Sequence, residues 1–302
     1  MTTIAVLLTC FNRKEKTLSC LKSLYEVQEK YNDSHPEDSK LSITLFLTDD
    51  GCTDGTSDAV NDTFVGKDIH ILKGDGNLFW AGGMRLAWNS ALKENNRWDY
   101  YMLLNDDTIL MENVFDELMD THSYCLNKYH QEGIYSGIIC APNNPQKITY
   151  GGDIFISKFT GSRRRLGRYN IPQMCDMTNA NILLVPSQVV NKIGILYEGF
   201  KHAAADFDYT FHARGKGIPV LITSNPCGMC EFDHRTDNDR KSLLLSMSLK
   251  ERKDFFNHPL HSGEDYMLLV KRTTPFKYPI TLLFRKLNLY CPRLFYWLNN
   301  KR

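Results

Sequence analysis

Four short apolar runs in the first 107 residues each stop abruptly in a polar turn, and this recurrence constrains the fold more than any other feature of the chain. Residues 3–9 lead into Thr9-Cys10-Phe11-Asn12-Arg13, and residues 43–47 lead into Asp49-Asp50-Gly51. Residues 69–72 lead into a turn containing Gly74 and Gly76, and residues 99–104 lead into Asn105-Asp106-Asp107. Runs that are apolar throughout, without alternation, suit strands buried on both faces of a parallel sheet. Between them lie two helical patterns, at 14–30 with Leu18, Leu21 and Tyr25 near one face, and at about 83–94; a third helix is expected to start near Glu112. Strand–helix alternation predicts an α/β fold with right-handed crossovers.

Ligands of open α/β sheets bind beyond the carboxyl ends of the strands, where these polar turns converge. Asp106 and Asp107 there can hold a hard divalent cation, or else act as solvated acids ahead of the next helix. Gly82 and Gly83, at the predicted helix start, can present free N–H groups to a phosphate or merely make a turn. The second half is less regular. Strands are expected at 134–140, 149–157, 181–185 and 218–222, a basic loop at 161–168, and a helix at 205–214 ended by Gly215. Residues 241–256 and the tail read as helical.

A chain of 302 residues has room for one large α/β domain with an appendage. Its nine cysteines are odd in number and scattered, which suits a reducing, cytoplasmic setting. Cys227 and Cys230 make one Cys-x-x-Cys pair with only His234 nearby, too few ligands for a structural zinc. Neither a secretory signal nor a run of transmembrane length is expected. Charge is uneven: residues 266–302 hold eight basic residues, eight aromatics and no acid, so the rest of the chain is net acidic. Such a segment suits an anionic membrane surface, or a pair of terminal helices with a solvated basic face. An acidic body excludes a broad nucleic-acid footprint.

At the motif level the sequence resembles the family 2 inverting glycosyltransferases, which have the GT-A fold. Leu8-Thr9-Cys10-Phe11-Asn12-Arg13 resembles the family's opening Pro-Thr-Tyr-Asn-Arg segment, and residues 49–56 resemble Asp-Asp-Gly-Ser-Thr-Asp-Gly-Thr. Residues 76–83 resemble Gly-Asn-x-Gly-x-Ala-Gly-Gly, and Asn105-Asp106-Asp107 stands where Asp-x-Asp belongs. Residues 179–217 resemble the acceptor half, in which a strand of small residues leads to a Glu-Asp-x-Asp helix and then Arg-x-x-Gly. The chain departs from the pattern at Asn105 and Ala205, each standing for an acid, and at the bulky pair Phe79-Trp80.

The resemblance implies a GT-A domain over residues 1–240, with a nucleotide-sugar half at 1–110 and an acceptor half at 111–240, followed by a helical extension at 241–302. It implies a nucleotide diphosphate sugar as donor, UDP- or dTDP-linked, and a glycan or lipid-linked oligosaccharide as acceptor, in polysaccharide assembly. Phe11 would flank the nucleotide base and Asp50 would hydrogen-bond it, with Asp49 in support. Thr9, Asn12, Arg13, Asn77, Gly82, Gly83, Arg85, Asn105 and Asp106 would complete the donor site. Asp107 would ligate Mn²⁺ or Mg²⁺. Asp206 would be the general base, with Asp208 its rival. His234 is open to two readings, a metal ligand or a hydrogen-bonded structural histidine. Rival enzyme classes fail at single positions: a phosphatase needs Asp where Thr48 stands, and a dinucleotide fingerprint needs glycine where Phe79 stands. The reading from another class is a non-catalytic sugar- or nucleotide-binding scaffold. The expected location is cytoplasmic, peripheral on the inner face of a membrane through residues 266–302.

Overall fold

A computed structural model describes residues 1–94, 98–231, 237–261 and 263–299. The strands are β1 (Thr2–Cys10), β2 (Leu41–Asp49), β3 (Ile69–Lys73), β4 (Tyr100–Leu104), β5 (Ile109–Leu110), β6 (Ile134–Ala141) and β7 (Asn144–Tyr150), then β8 (Gly152–Ser157), β9 (Ser162–Arg165), β10 (Gln173–Met174), β11 (Met177–Thr178), β12 (Ile182–Pro186) and β13 (Val220–Met229). The helices are α1 (Lys14–Ser34), α2 (Thr56–Thr63), α3 (Phe79–Lys93), α4 (Val114–Tyr129), α5 (Ser187–Ile193) and α6 (Ala205–Gly215), then α7 (Asp237–Ser246), α8 (Leu249–Asn257), α9 (Gly263–Thr273), α10 (Tyr278–Tyr290) and α11 (Pro292–Asn299).

The main sheet runs β10-β13-β6-β12-β4-β1-β2-β3. β1 pairs in parallel with β2 and β4, and β2 with β3, as the alternation requires. The polar turns after these strands therefore share one edge. β1 shows why its run is continuous: Ile4, Val6 and Leu8 pack with Leu21 and Leu24 of α1, whereas Ala5 and Leu7 pack with Met84 and Trp88 of α3. Both faces of the strand are covered, and each fully buried aliphatic side chain contributes about 1.5–3 kcal/mol.

β12 breaks the parallel pattern. It runs antiparallel to both β4 and β6, with Ile182 opposite Leu104, so its beginning lies beside the end of β4. Three expectations are corrected. Residues 149–157 form two strands, broken at Gly151. The basic loop forms β9, which pairs with β8 in a small sheet of order β11-β8-β9. α3 begins at Phe79, so Gly82 and Gly83 lie within it, and the Gly82 N–H is already donated to Leu78 O at 3.1 Å.

Gly83 serves packing. A Cβ there would stand 2.8 Å from Thr9 Cβ and closer still to its hydroxyl. Gly83→Ala is expected to destabilise the protein by about 1–3 kcal/mol through overpacking of α3 on β1, measured by denaturant unfolding.

Candidate active site

The Asp49-Asp50 turn is an internally bonded cradle. Asp49 accepts from the Cys52 amide at 2.7 Å, from Lys73 Nζ at 2.7 Å and from the Ser57 hydroxyl. Burial opposes its charge, but Lys73 and Ser57 outweigh that and hold its pKa down at about 2. Asp50 is buried and accepts from the amides of Gly76 (2.9 Å), Leu78 (3.3 Å) and Phe79 (2.9 Å), clamping the turn ahead of α3. Gly51, at φ +84°, lets that turn pass within 3.1 Å of where a Cβ would sit. Asn12 accepts from the Thr53 amide at 2.7 Å, joining the β1 and β2 turns, and Phe11 above them is 52% exposed. Asn77 donates its amide to Asp75 at 2.9 Å within the turn.

At the end of β4 three side chains diverge. Asn105, the amide standing where an acid was expected, accepts from Trp80 Nε1 through Oδ1 at 2.8 Å. Asp106 turns inward, within 3.1 Å of Arg13 and 3.4 Å of the Thr17 hydroxyl; burial raises its pKa to about 7 despite the Arg13 cation. Asp107 remains partly exposed and accepts from the other Arg13 nitrogen at 2.6 Å. Arg13, whose guanidinium is desolvated but held charged by these two acids, thus spans the β1 and β4 turns.

Asp206 lies at the start of α6. Its carboxylate accepts from the Ala180 amide at 2.9 Å and the Phe207 amide at 2.8 Å. Burial raises its pKa to about 6, and the two amides offset this only in part. Because β12 is antiparallel, Ala180 and Asn181 sit beside the end of β4, where the Asn105 amide donates to Asn181 O at 3.1 Å. The fold thereby brings Asp206 to the edge that carries Asn105 and Asp107. The rival Asp208 is buried and paired with Arg272 Nε at 2.6 Å. Arg85 donates to the carbonyls of Phe200 (2.9 Å) and Tyr197 (3.2 Å), tying α3 to the loop before α6.

The helical extension expected at 241–302 includes α9, but sequence reasoning missed what α9 holds in place. Its buried Asp265 accepts from three successive amides, Lys201 (3.0 Å), His202 (2.8 Å) and Ala203 (2.8 Å), immediately before Asp206. Its Arg272 neutralises Asp208 and stacks on Tyr197 at 4.1 Å. An acid in the first turn of a helix is the sole sequence signal for Asp265, and it reads as ordinary helix-terminus chemistry. Asp265→Ala strips three amides of their acceptor. It is expected to lower stability by about 1–3 kcal/mol, read as a fall in the urea midpoint.

Asn12, Phe79 and Ala204 all adopt positive φ (51°, 52° and 65°), and each lies at the entry to a helix bordering this edge. Strained non-glycine backbone of this kind concentrates at functional sites.

The donors present suit a hard cation in one way. Among the described residues no three His, Cys, Asp or Glu side chains converge as a protein cage. A magnesium-type ion, however, takes one or two carboxylates and completes its shell with phosphate and water, and Asp107 offers one such carboxylate. His234 lies outside the described residues.

No protein-family model matches the sequence, and no curated protein matches it. Solved structures do. Residues 1–349 of S. aureus TarS align over 96% of this chain and 73% of theirs, with a TM-score of 0.52 and 12% identity. The same TarS fragment in complex with UDP-GlcNAc aligns over 95% of this chain and 73% of that one, at TM-score 0.52 and 12% identity. Its complex with UDP covers 90% and 70%, at TM-score 0.51 and 12% identity. TarS is a GT-A-type family 2 glycosyltransferase. The fold here is GT-A. The GT-A α/β architecture expected from the motifs is thus observed, with its mostly parallel sheet and C-terminal helices.

Proposed function

We propose that this chain is an inverting glycosyltransferase that moves a sugar from a UDP- or dTDP-linked donor to a hydroxyl of a glycan or lipid-linked glycan. The observation that carries this reading is Asp206. It is a carboxylate with a pKa raised to about 6, held by two backbone amides at the sheet edge bearing Asp107. The GT-A fold, whose solved neighbours include complexes with UDP-GlcNAc and UDP, supports a nucleotide-sugar donor.

In this reading Asp206 takes the proton of the acceptor hydroxyl. The oxygen forms its bond to the anomeric carbon as the bond to the diphosphate oxygen breaks, and the pair of electrons leaves with the nucleotide. One displacement inverts the anomeric centre. Phe11 offers an exposed ring to the base, and Asp50 sets the loop beneath it. Asp107 would hold Mn²⁺ or Mg²⁺, which when bound neutralises charge on the leaving diphosphate. Arg13 keeps Asp107 in place beside the desolvated Asp106. We place the protein in the cytoplasm at the inner face of a membrane, and no helix among the described residues is long and apolar enough to cross one.

Thermal unfolding with UDP, dTDP and GDP, with and without Mn²⁺, tests the donor site without knowledge of the acceptor. UDP or dTDP is expected to raise the midpoint further when Mn²⁺ is present. A folded protein that responds to none of the three nucleotides would sink the reading. A response with no hydrolysis or transfer of any sugar nucleotide would favour the non-catalytic scaffold.

A further inference from the structure

Two acid-free, basic segments far apart in sequence form one surface. Residues 154–171 contain Lys158, Arg163, Arg164, Arg165 and Arg168 and no acid, and residues 266–302 contain eight basic residues and no acid. The β8–β9 hairpin tip meets the turn before α10: the Phe159 and Phe276 rings are 6.0 Å apart, and Lys277 lies against Gly161, where a Cβ would come within 2.9 Å of Lys277 Cδ. Both rings are nevertheless over 70% exposed, at 71% and 73%. α10 continues the surface with an outward apolar face. Ile280, Leu283 and Tyr290, at 57%, 65% and 54% exposure, share one side of the helix with the partly covered Leu287. A water-soluble helix places its apolar stripe inward; α10 does so with Leu289, which packs on the Phe255–Phe256 cluster, and yet carries this second apolar stripe outward.

Arg163 and Arg165 are paired with Asp153, at 3.5 and 3.4 Å. Lys158, Arg164, Lys277 and Lys286 add outward charge along the hairpin and α10, and Arg168, bonded to the neutral Asn225, adds more. Exposed aliphatic and aromatic side chains set among cations match the interface of an anionic bilayer, where acyl chains accept the former and headgroups the latter. A second copy of the same face would meet it with like charge.

We propose that the hairpin tip, the Pro275–Lys277 turn and the outer face of α10 form a single docking surface for anionic lipid. This rests on the peripheral membrane location proposed above and extends it from the tail to a composite surface. The surface also borders the acceptor side. The Arg163 guanidinium lies 5.8 Å from the ring of Phe207, the neighbour of Asp206. Docking there would bring the hydroxyl of a lipid-linked acceptor to Asp206 while its lipid stays in the bilayer.

Co-sedimentation of the full chain with phosphatidylglycerol vesicles, against phosphatidylcholine vesicles, tests this. The wild type is expected to pellet only with the anionic vesicles. Phe159→Asp in the hairpin and Leu283→Asp in α10 should each lower the partition by about tenfold or more, and Val65→Asp, on the α2–β3 turn, should not. Arg164→Glu and Lys286→Glu, charge reversals at exposed positions, should act the same way and guard against a misfolded apolar variant. Full binding by both hairpin variants would overturn the composite surface and leave the tail alone. A wild type that pellets with neither vesicle, yet is still stabilised by UDP, would overturn lipid docking and spare the catalytic reading. Self-association broken by these same substitutions, without vesicle binding, would assign the face to a second copy.

Discussion

Asp206→Asn is expected to lower the transfer rate by about a thousandfold while UDP still stabilises the protein nearly as in the wild type. The amide has the size of the carboxylate but cannot take the acceptor's proton, and it stands outside the donor turns. The pH dependence gives an independent readout. The base works deprotonated, so kcat/KM should fall as pH drops through about 6, the value to which burial raises this carboxyl. The same shift has a stability consequence of opposite sense. Between about pH 4, the ordinary carboxylate value, and about 6 the folded chain retains a proton that the unfolded chain has released. Asp206 therefore favours folding less as pH rises across that window, and Asp206→Asn should flatten this part of the stability curve. Retention of most of the activity would transfer the role to Asp208, against the burial of that carboxylate and its 2.6 Å contact with Arg272.

Asp107→Ala is expected to abolish the Mn²⁺-dependent part of the stabilisation by UDP and to reduce transfer by at least about a hundredfold. At a hundred times the dissociation constant, a ligand bound only by the native state adds about 2.7 kcal/mol, so the lost increment should be plain in a melting curve. Arg13 complicates the substitution, because it holds Asp107 at 2.6 Å and Asp106 at 3.1 Å. Titrating Mn²⁺ at saturating UDP separates the two effects. A general loosening of the Arg13 bridge lowers the midpoint at every Mn²⁺ concentration, whereas loss of the ligand removes the dependence on Mn²⁺. A variant whose midpoint still rises with Mn²⁺ as the wild type's does would exclude Asp107 as the anchor.

Much of residues 1–110 was legible because the signals there are local. The strands at 2–10, 41–49, 69–73 and 100–104 differ from the apolar runs by a few residues at most, and their polar turns share an edge, as parallel pairing demands. Where the reading slipped, a contact remote in sequence outweighed the local pattern. Gly82-Gly83 looks like a helix start, but α3 begins at Phe79, where the clamp by Asp50 fixes the preceding turn. The arginines of 163–165 look like a solvated loop, but Asp153 on the opposite strand pairs with two of them and helps set them in β9. The resemblance implies that Arg85 helps complete the donor site, and in the fold two carbonyls more than a hundred residues away take its Nη1 donor.

The sequence by itself determined which segments are strands buried on both faces, and that two acid-bearing turns and the Phe11 turn end at one edge. Burial on two faces leaves a continuous apolar run, and a parallel sheet puts strand ends together. Only the tertiary structure decided that Asp206 joins that edge, since this depends on β12 running antiparallel so that Ala180 lies beside Asn105. It alone decided that α9 holds the loop before Asp206 and neutralises Asp208, and that the hairpin meets the tail. Hydrophobic periodicity reports how deeply a segment is buried and carries no record of its neighbour, so pairings across tens of residues are settled by packing and charge in the folded chain.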